Sequence, residues 1–136
     1  MRSHVEFRSD KFPSYGNNDE GLNFENAVYG KRLAEYLGEK LDLKEMTVSS
    51  IYAEDWGWCL EISHTENYRL FIGCGHYQEY ENGFLCFIEP SKPYIRKWFK
   101  KINVRETVEK VASALDAVLN KDRDIHSVRW WDEGER

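Results

Sequence analysis

The sequence predicts an α+β domain built on a single antiparallel sheet of about five strands, with two long helices on one face. Residues 51–90 consist of aromatic and β-branched runs separated by turn-forming clusters, which is typical of antiparallel strands joined by short turns. Apolar residues at helical spacing lie on either side of this stretch, and a short β-like run follows the second of them. The predicted order is therefore α-β-β-β-β-α-β, a four-strand meander plus a C-terminal strand.

The first 22 residues are predicted to form an N-terminal arm, and residues 23–136 a single α+β domain, the usual size for one domain. The arm mixes isolated aromatic residues with turn formers, so a short strand at residues 5–8 and a loose segment laid over the domain are both open. Asn23 suits the N-cap of a first helix over residues 24–40, because apolar side chains there share one helical stripe.

Four strands are predicted between residues 46 and 88, over residues 46–53, 56–63, 68–77 and 84–88. In the second of them, the period of two places Trp56 and Trp58 on one face together with Leu60 and Ile62. Asn82-Gly83 favours a tight hairpin before the last of these strands, since such a turn needs positive φ.

A second helical region follows the meander. Residues 94–101 predict a short aromatic helix, with Pro93 suited to its first turn. Asn103 together with Glu106 resembles a capping box, and the apolar spacing that follows predicts a separate long helix to about residue 120. Residues 125–131 predict the final strand, and the acidic end of the chain is expected to fray.

The composition argues against several classes of function. A net charge of -5 and a pI near 5.4 are unlike those of general nucleic-acid binders or of proteins that bind anionic membranes. No apolar run approaches the length of a membrane span, and the polar N-terminus lacks the apolar region of a signal peptide. The three cysteines form no C-x-x-C pair, so we expect free thiols, no cofactor and a cytoplasmic location.

Cys74 and His76 form the one constellation with catalytic or metal-binding chemistry. They point to the same face of a predicted strand, and Cys59 or Cys86 could approach from neighbouring strands. Sulfur and nitrogen ligands suit zinc, and a thiol beside a histidine suits nucleophilic catalysis. Residues at i and i+2 of a strand lie roughly 6–7 Å apart, however, and buried free cysteine is common. A Cys/His-centred enzyme or metal-binding protein is therefore the alternative, and the main expectation is a protein without catalytic activity.

An acidic, aromatic surface is the preferred hypothesis. Residues 51–90 carry seven acids and one base, whereas residues 96–110 carry six bases and two acids. These charges are either ordinary solvated faces or a recognition surface, in which rings anchor a partner and carboxylates steer it. We expect a non-catalytic module, of the immunity or antagonist type, that binds a basic protein partner, and an edge strand could also join two copies as a homodimer. The expected binding residues are Glu54, Asp55, Trp56, Trp58, Glu79, Tyr80 and Trp131.

Three segments also carry a resemblance to known proteins. The motif EDWGW at residues 54–58, the Gly-Cys-Gly turn at residues 73–75 and FLCFIEPSKP at residues 84–93, before a basic aromatic helix, together resemble a family of small uncharacterised bacterial proteins. The resemblance covers roughly residues 24–131. In size and layout the chain is also similar to toxin-immunity and other small antagonist proteins, which is a likeness of fold only. The resemblance implies no known chemistry and no site residues.

Overall fold

The computed structural model describes residues 2–12, 25–65, 68–77, 79–90 and 98–132, with the side chains of residues 25–29 and 98–103 left out. Within these residues the chain forms six strands and two helices. In chain order they are β1 (His4–Arg8), α1 (Glu25–Lys40), β2 (Thr47–Glu54), β3 (Gly57–Ser63), β4 (Leu70–His76), β5 (Gly83–Pro90), α2 (Trp98–Lys121) and β6 (His126–Trp131). Neither described helix is long and apolar enough to cross a membrane.

The six strands form one antiparallel sheet in the order β2-β3-β4-β5-β1-β6. The predicted α+β class with a single antiparallel sheet is confirmed, but the count of about five strands is one short. The sixth strand is β1, which comes from the stretch predicted to be an arm and lies between β5 and β6. Its alternation of buried Val5 and Phe7 with half-buried neighbours fits this interior position.

The core lies between the sheet and the two helices. Helix α1 contacts β2, β3 and β4, and α2 contacts β5 and β6. Gly30 allows α1 to approach β4 closely, because a Cβ there would lie 2.6 Å from the carbonyl oxygen of Cys74. Side chains that are at most 1% exposed come from strands and helices alike: Val5, Phe7, Leu33, Leu37, Leu60, Ile72, Phe84, Val108 and Leu115.

Helix α2 is a single helix of 24 residues, which corrects the prediction of two. Asn103 lies inside it, so the predicted capping box is wrong. The physical reason is that no glycine or proline occurs between Trp98 and Lys121 to interrupt the helical hydrogen bonds. The predicted N-cap Asn23 and residues 94–97 of the short aromatic helix lie outside the described residues.

The connection between β4, which ends at His76, and β5, which begins at Gly83, is longer than the predicted tight turn. The amide of Tyr77 donates to the carbonyl of Gly83 at 2.9 Å, and the amide of Gly83 donates to the carbonyl of Tyr80 at 3.1 Å. Neither Asn82 nor Gly83 has positive φ, so the prediction of an Asn-Gly hairpin turn is wrong. The Nε2 of His76 donates to the carbonyl of Tyr80 at 2.9 Å, which supplies the loop with a side-chain support that sequence pattern does not reveal.

Asp122, one residue past α2, ties three parts of the chain together. Its carboxylate accepts hydrogen bonds from Lys11 Nζ at 2.7 Å and from the hydroxyl of Tyr36 on α1. The side chain is 9% exposed. The hydrogen bond from Lys11 and then that from Tyr36 lower the pKa of Asp122 from its usual 3.8 to about 2. This carboxylate therefore holds the segment after β1 against α1 and the end of α2.

Replacing Asp122 by asparagine is expected to lower the free energy of unfolding by about 1 kcal/mol at neutral pH, because the bond to an exposed lysine is partly screened. The pKa of the carboxyl is lower in the folded state, so its stabilisation is present above about pH 4 and is lost as the pH falls towards 2. Urea unfolding over this range should show the difference between wild type and variant shrinking in acid. Asp124→Asn, at an exposed neighbour, is the control, and a deficit for Asp122→Asn that is independent of pH would contradict the assignment.

Candidate functional site

The sheet has a second face, opposite the helices, that no helix or strand of the described residues covers. We call it the open face. It carries the side chains that alternate with the core residues along each strand. One row of cross-strand neighbours crosses all six strands on this face: Tyr52, Cys59, Gly73, Phe87, His4 and Trp131.

Five aromatic rings contact one another across the open face: Trp56, Phe71, Phe87, His4 and Trp131, which we call the aromatic cluster. The Phe87 ring is central, with centroids of Trp56 at 5.1 Å, His4 at 5.9 Å and Phe71 at 6.2 Å. His4 also stacks on Trp131 at 4.4 Å with an interplanar angle of 21°. All five side chains are half-buried, and no described helix lies over them.

Gly73 explains why the cluster lies low on the sheet. A Cβ at this position would be 2.3 Å from the Phe87 ring, so the ring lies over bare backbone. A larger residue at Gly73 would push the Phe87 ring away from the sheet. The glycine therefore helps to hold Phe87 between Trp56 and His4.

Trp56 and Trp58 lie on opposite faces, which corrects the prediction that they share one. Asp55 and Trp56 form the turn between β2 and β3, so the alternation of β3 does not extend back to Trp56. The Trp56 ring contacts Phe87 on the open face. Trp58 packs against the core on the helix side, with Lys31 Nζ 5.8 Å from its ring centroid. Trp58 is therefore not part of the open face.

Two unpaired acids of the candidate site are Glu54 and Asp55. Both are exposed and precede Trp56 directly, and neither side chain makes a hydrogen bond or ion pair with any of the residues that the structure describes. Two other acids on the open face are neutralised within the protein. Glu61 accepts hydrogen bonds from Arg69 at 2.7 and 3.1 Å, which lower the pKa of Glu61 against the opposing effect of burial. Glu6 is paired in the same way with Arg129 at 3.3 Å.

Glu79 and Tyr80 lie at the same end of the sheet as Asp55 and Trp56. The strands are antiparallel, so the loop after β4 is beside the turn before β3, and a Cβ on Gly75 would be 3.3 Å from the Trp56 carbonyl oxygen. Glu79 is exposed, and Tyr80 is 40% exposed, the one large apolar residue in that class among those described.

The guanidinium of Arg8 lies 4.1 Å from the Tyr80 ring centroid. Because Arg8 follows His4 and Glu6 on the open face, this contact places Tyr80 at the border of that face. The structure thus brings Tyr80 and Glu79 near the turn that carries Trp56, while Trp131 joins the same surface from the opposite edge of the sheet.

Sequence reasoning missed Phe71, Phe87 and His4. Phe71 and Phe87 sit in runs that are apolar on both faces, and His4 sits in the predicted arm. The sequence did contain one signal. Phe71 lies between buried Leu70 and Ile72, and Phe87 lies between buried Cys86 and Ile88. Since side chains alternate along a strand, each phenylalanine points to the face opposite its buried neighbours.

Cys74 and His76 lie on the helix side. Cys74 is fully buried, with its Sγ 3.8 Å from that of Cys86, and burial raises its pKa. Burial also raises the pKa of Cys59 to about 11. These two thiols are therefore protonated at neutral pH and weakly nucleophilic. Within the described part of the chain, no group of three or more His, Cys, Asp or Glu side chains is placed to hold a metal ion.

Comparison of the chain with protein-family models, curated proteins and solved structures found no match. The resemblance of EDWGW and its companion segments to small bacterial proteins therefore stays an expectation from sequence.

Proposed function

We propose that the protein is a non-catalytic binding module that holds a basic protein partner on its open face. The observation that carries the proposal is the aromatic cluster, five contiguous half-buried rings on the side of the sheet away from both helices. Aromatic residues are enriched where protein interfaces concentrate their binding energy, and contiguous apolar surface outside a core is typical of interaction sites.

The charges at one end of the open face favour a basic partner. Glu54 and Asp55 are exposed beside Trp56, and Glu79 is exposed in the neighbouring loop. A lysine or arginine of the partner placed over Trp56 would gain a cation–π contact and an ion pair with Glu54 or Asp55. Unpaired carboxylates also accelerate encounter with a positively charged surface.

The form of the surface suits an antagonist of the immunity type. The rings of the aromatic cluster restrain one another, so little side-chain entropy remains to be lost on binding. A rigid face of this kind can cover a functional surface of the partner without any reaction of its own. The predicted homodimer would form by pairing of an edge strand, β2 or β6, with the same strand of a second copy.

Reversing the charge of Glu54 and Asp55 together, as Glu54→Lys with Asp55→Lys, is expected to weaken partner binding by about tenfold or more and to flatten its salt dependence. The partner would be purified from the native host on immobilised protein and its affinity measured by calorimetry at several salt concentrations. Glu35→Lys with Glu39→Lys is the matched control, since it makes the same charge change at exposed sites on α1. Equal loss in both double variants would contradict a site on the open face.

Replacing Trp56 by alanine is expected to weaken the same binding by roughly tenfold to thirtyfold, the effect of removing an aromatic anchor. Trp56→Phe should retain most of the affinity because it keeps a ring against Phe87. Thermal unfolding would confirm that both variants are folded. Unchanged affinity in folded Trp56→Ala would remove Trp56 from the site.

A further inference from the structure

Helices α1 and α2 contact each other over only a small part of their length. Helix α1 packs mainly on β2, β3 and β4, whereas α2 packs on β5 and β6, so much of each helix lies over a different part of the sheet. The structure has a groove of about 1180 Å³ between the last turns of α1 and the second half of α2. We call it the helix groove.

The helix groove has an apolar floor and charged rims. Leu43 is buried in the floor, and Ala114 and Val118 of α2 are half-buried beside it and pack against the core. On α2, positions 110, 114, 117 and 121 recur at helical spacing along the groove. From Glu109 to Lys121 the α2 wall is about 18 Å long, which matches about three turns of a second helix.

The acids of the helix groove are largely neutralised within the protein. Asp122 is bonded to Lys11 at 2.7 Å, and Asp42 is paired with Lys44 at 3.4 Å. Glu109 accepts a hydrogen bond from the backbone amide of Arg2 at 2.9 Å and is also paired with its guanidinium.

Most basic side chains on the rims have no ion pair with a described residue. Four exposed cations have no ion pair with any described residue, against two acids, Glu45 and Asp124, in the same state. The lining side chains therefore carry a surplus of one positive charge, which becomes two when Arg2, the partner of Glu109, is included, in a chain whose net charge is -5. The four cations are Lys40, Lys110, Lys121 and Arg123.

From this complementarity we propose that the helix groove is a second binding site, which takes an acidic amphipathic helix of a partner protein. Apolar side chains of that helix would cover Ala114 and Val118, and its carboxylates would meet the ammonium groups of Lys40 on one rim and of Lys110 and Lys121 on the other. The site is distinct from the open face and has the opposite charge.

Two other kinds of ligand fit less well. The groove is larger than the roughly 300–1,000 Å³ of small-molecule pockets, and it is elongated along α2. Nucleic acid is disfavoured by Glu45 and Asp124 on the rims and by the net charge of the chain. An acidic helix with an apolar face complements both the apolar floor and the basic rims of the groove.

The test uses a labelled peptide of about 14 residues, roughly 21 Å as a helix, with leucines along one helical face and glutamates elsewhere. Fluorescence anisotropy with the full chain should show saturable binding that weakens as salt is raised. Lys110→Glu with Lys121→Glu should weaken binding at least about tenfold, and Lys110→Gln with Lys121→Gln should give a smaller loss. Arg105→Glu is the control, since Arg105 is exposed on α2 but outside the groove.

Equal binding of a scrambled peptide, equal loss in the Arg105 variant, tighter binding of an RNA oligonucleotide of the same charge, or no saturation by about 1 mM would each overturn the proposal. Protection of Lys40 and Lys121 from acetylation in the free protein would also overturn it, because the groove would then be closed. The Glu54→Lys, Asp55→Lys variant should bind the peptide at least as tightly as wild type, so failure on the open face is distinguishable from failure in the helix groove.

Discussion

Replacing Phe7 by alanine is expected to reduce the free energy of unfolding by about 3–5 kcal/mol, the usual cost of emptying a large buried site. Phe7 is 1% exposed and stacks on Phe84 at 5.8 Å, and its strand β1 pairs on both sides, with β5 and with β6. The loss therefore affects the middle of the sheet and not an attached arm. Chemical denaturation with urea would measure it.

The matched variant Phe7→Leu keeps most of the volume and should lose only about 1–1.5 kcal/mol. If residues 1–22 formed a loose arm, both variants would unfold like wild type. A change below about 0.5 kcal/mol for Phe7→Ala would therefore contradict the interior position of β1.

Replacing Gly30 by alanine is expected to destabilise the protein by about 2–3 kcal/mol, although alanine is the better helix former by about 1 kcal/mol. The added Cβ would lie 2.6 Å from the carbonyl oxygen of Cys74 and 3.1 Å from the backbone nitrogen of Trp58. Both are backbone atoms of central strands, so α1 itself must move outwards. Thermal and urea unfolding would measure the net effect.

Gly38 on the same helix provides the control. A Cβ there would be 2.9 Å from Ile51 Cδ1, the end of a side chain that can rotate, and 3.8 Å from the next atom. Gly38→Ala should therefore be neutral or stabilising by up to about 1 kcal/mol. Stabilisation by both substitutions would show that α1 does not press on β4 at Gly30.

Much of the fold was predictable because its determinants are local. Strands β2 to β5 are close in sequence and joined by short connections, so alternation and turn residues are enough to locate them. Helix α1 follows from its apolar stripe. The predicted helix boundary at Asn103 was wrong because a capping pattern can occur inside a helix when no helix-breaking residue precedes it.

Strand β1 could not be placed in the same way. Its five residues alternate only briefly. Its partners are Gly83 to Phe87 in β5 and residues between His126 and Trp131 in β6, far away in sequence. Pairing over such distances leaves no local pattern. The sequence of residues 4–8 therefore does not distinguish a loose arm from an interior strand.

The candidate site was predictable in composition but not in arrangement. The acids Glu54 and Asp55 stand out in the sequence, and the structure places them exposed beside Trp56. Trp56 and Trp58 lie on opposite faces because of the turn geometry between β2 and β3. Arg69 neutralises Glu61 because its side chain is long enough to reach the neighbouring strand. Neither can be deduced from residue spacing.

The position of β1 also bears on how the nascent chain folds. Residues 4–8 are synthesised before the other five strands, yet their neighbour β6 is residues 126–131, so one side of β1 stays without its hydrogen-bonding partner until the rest of the sheet has been synthesised. During that interval the amide and carbonyl groups on that side of β1 can pair with other extended chains. A chaperone that shields β1 while the later strands are synthesised would therefore raise the yield of folded protein more than one that acts after release.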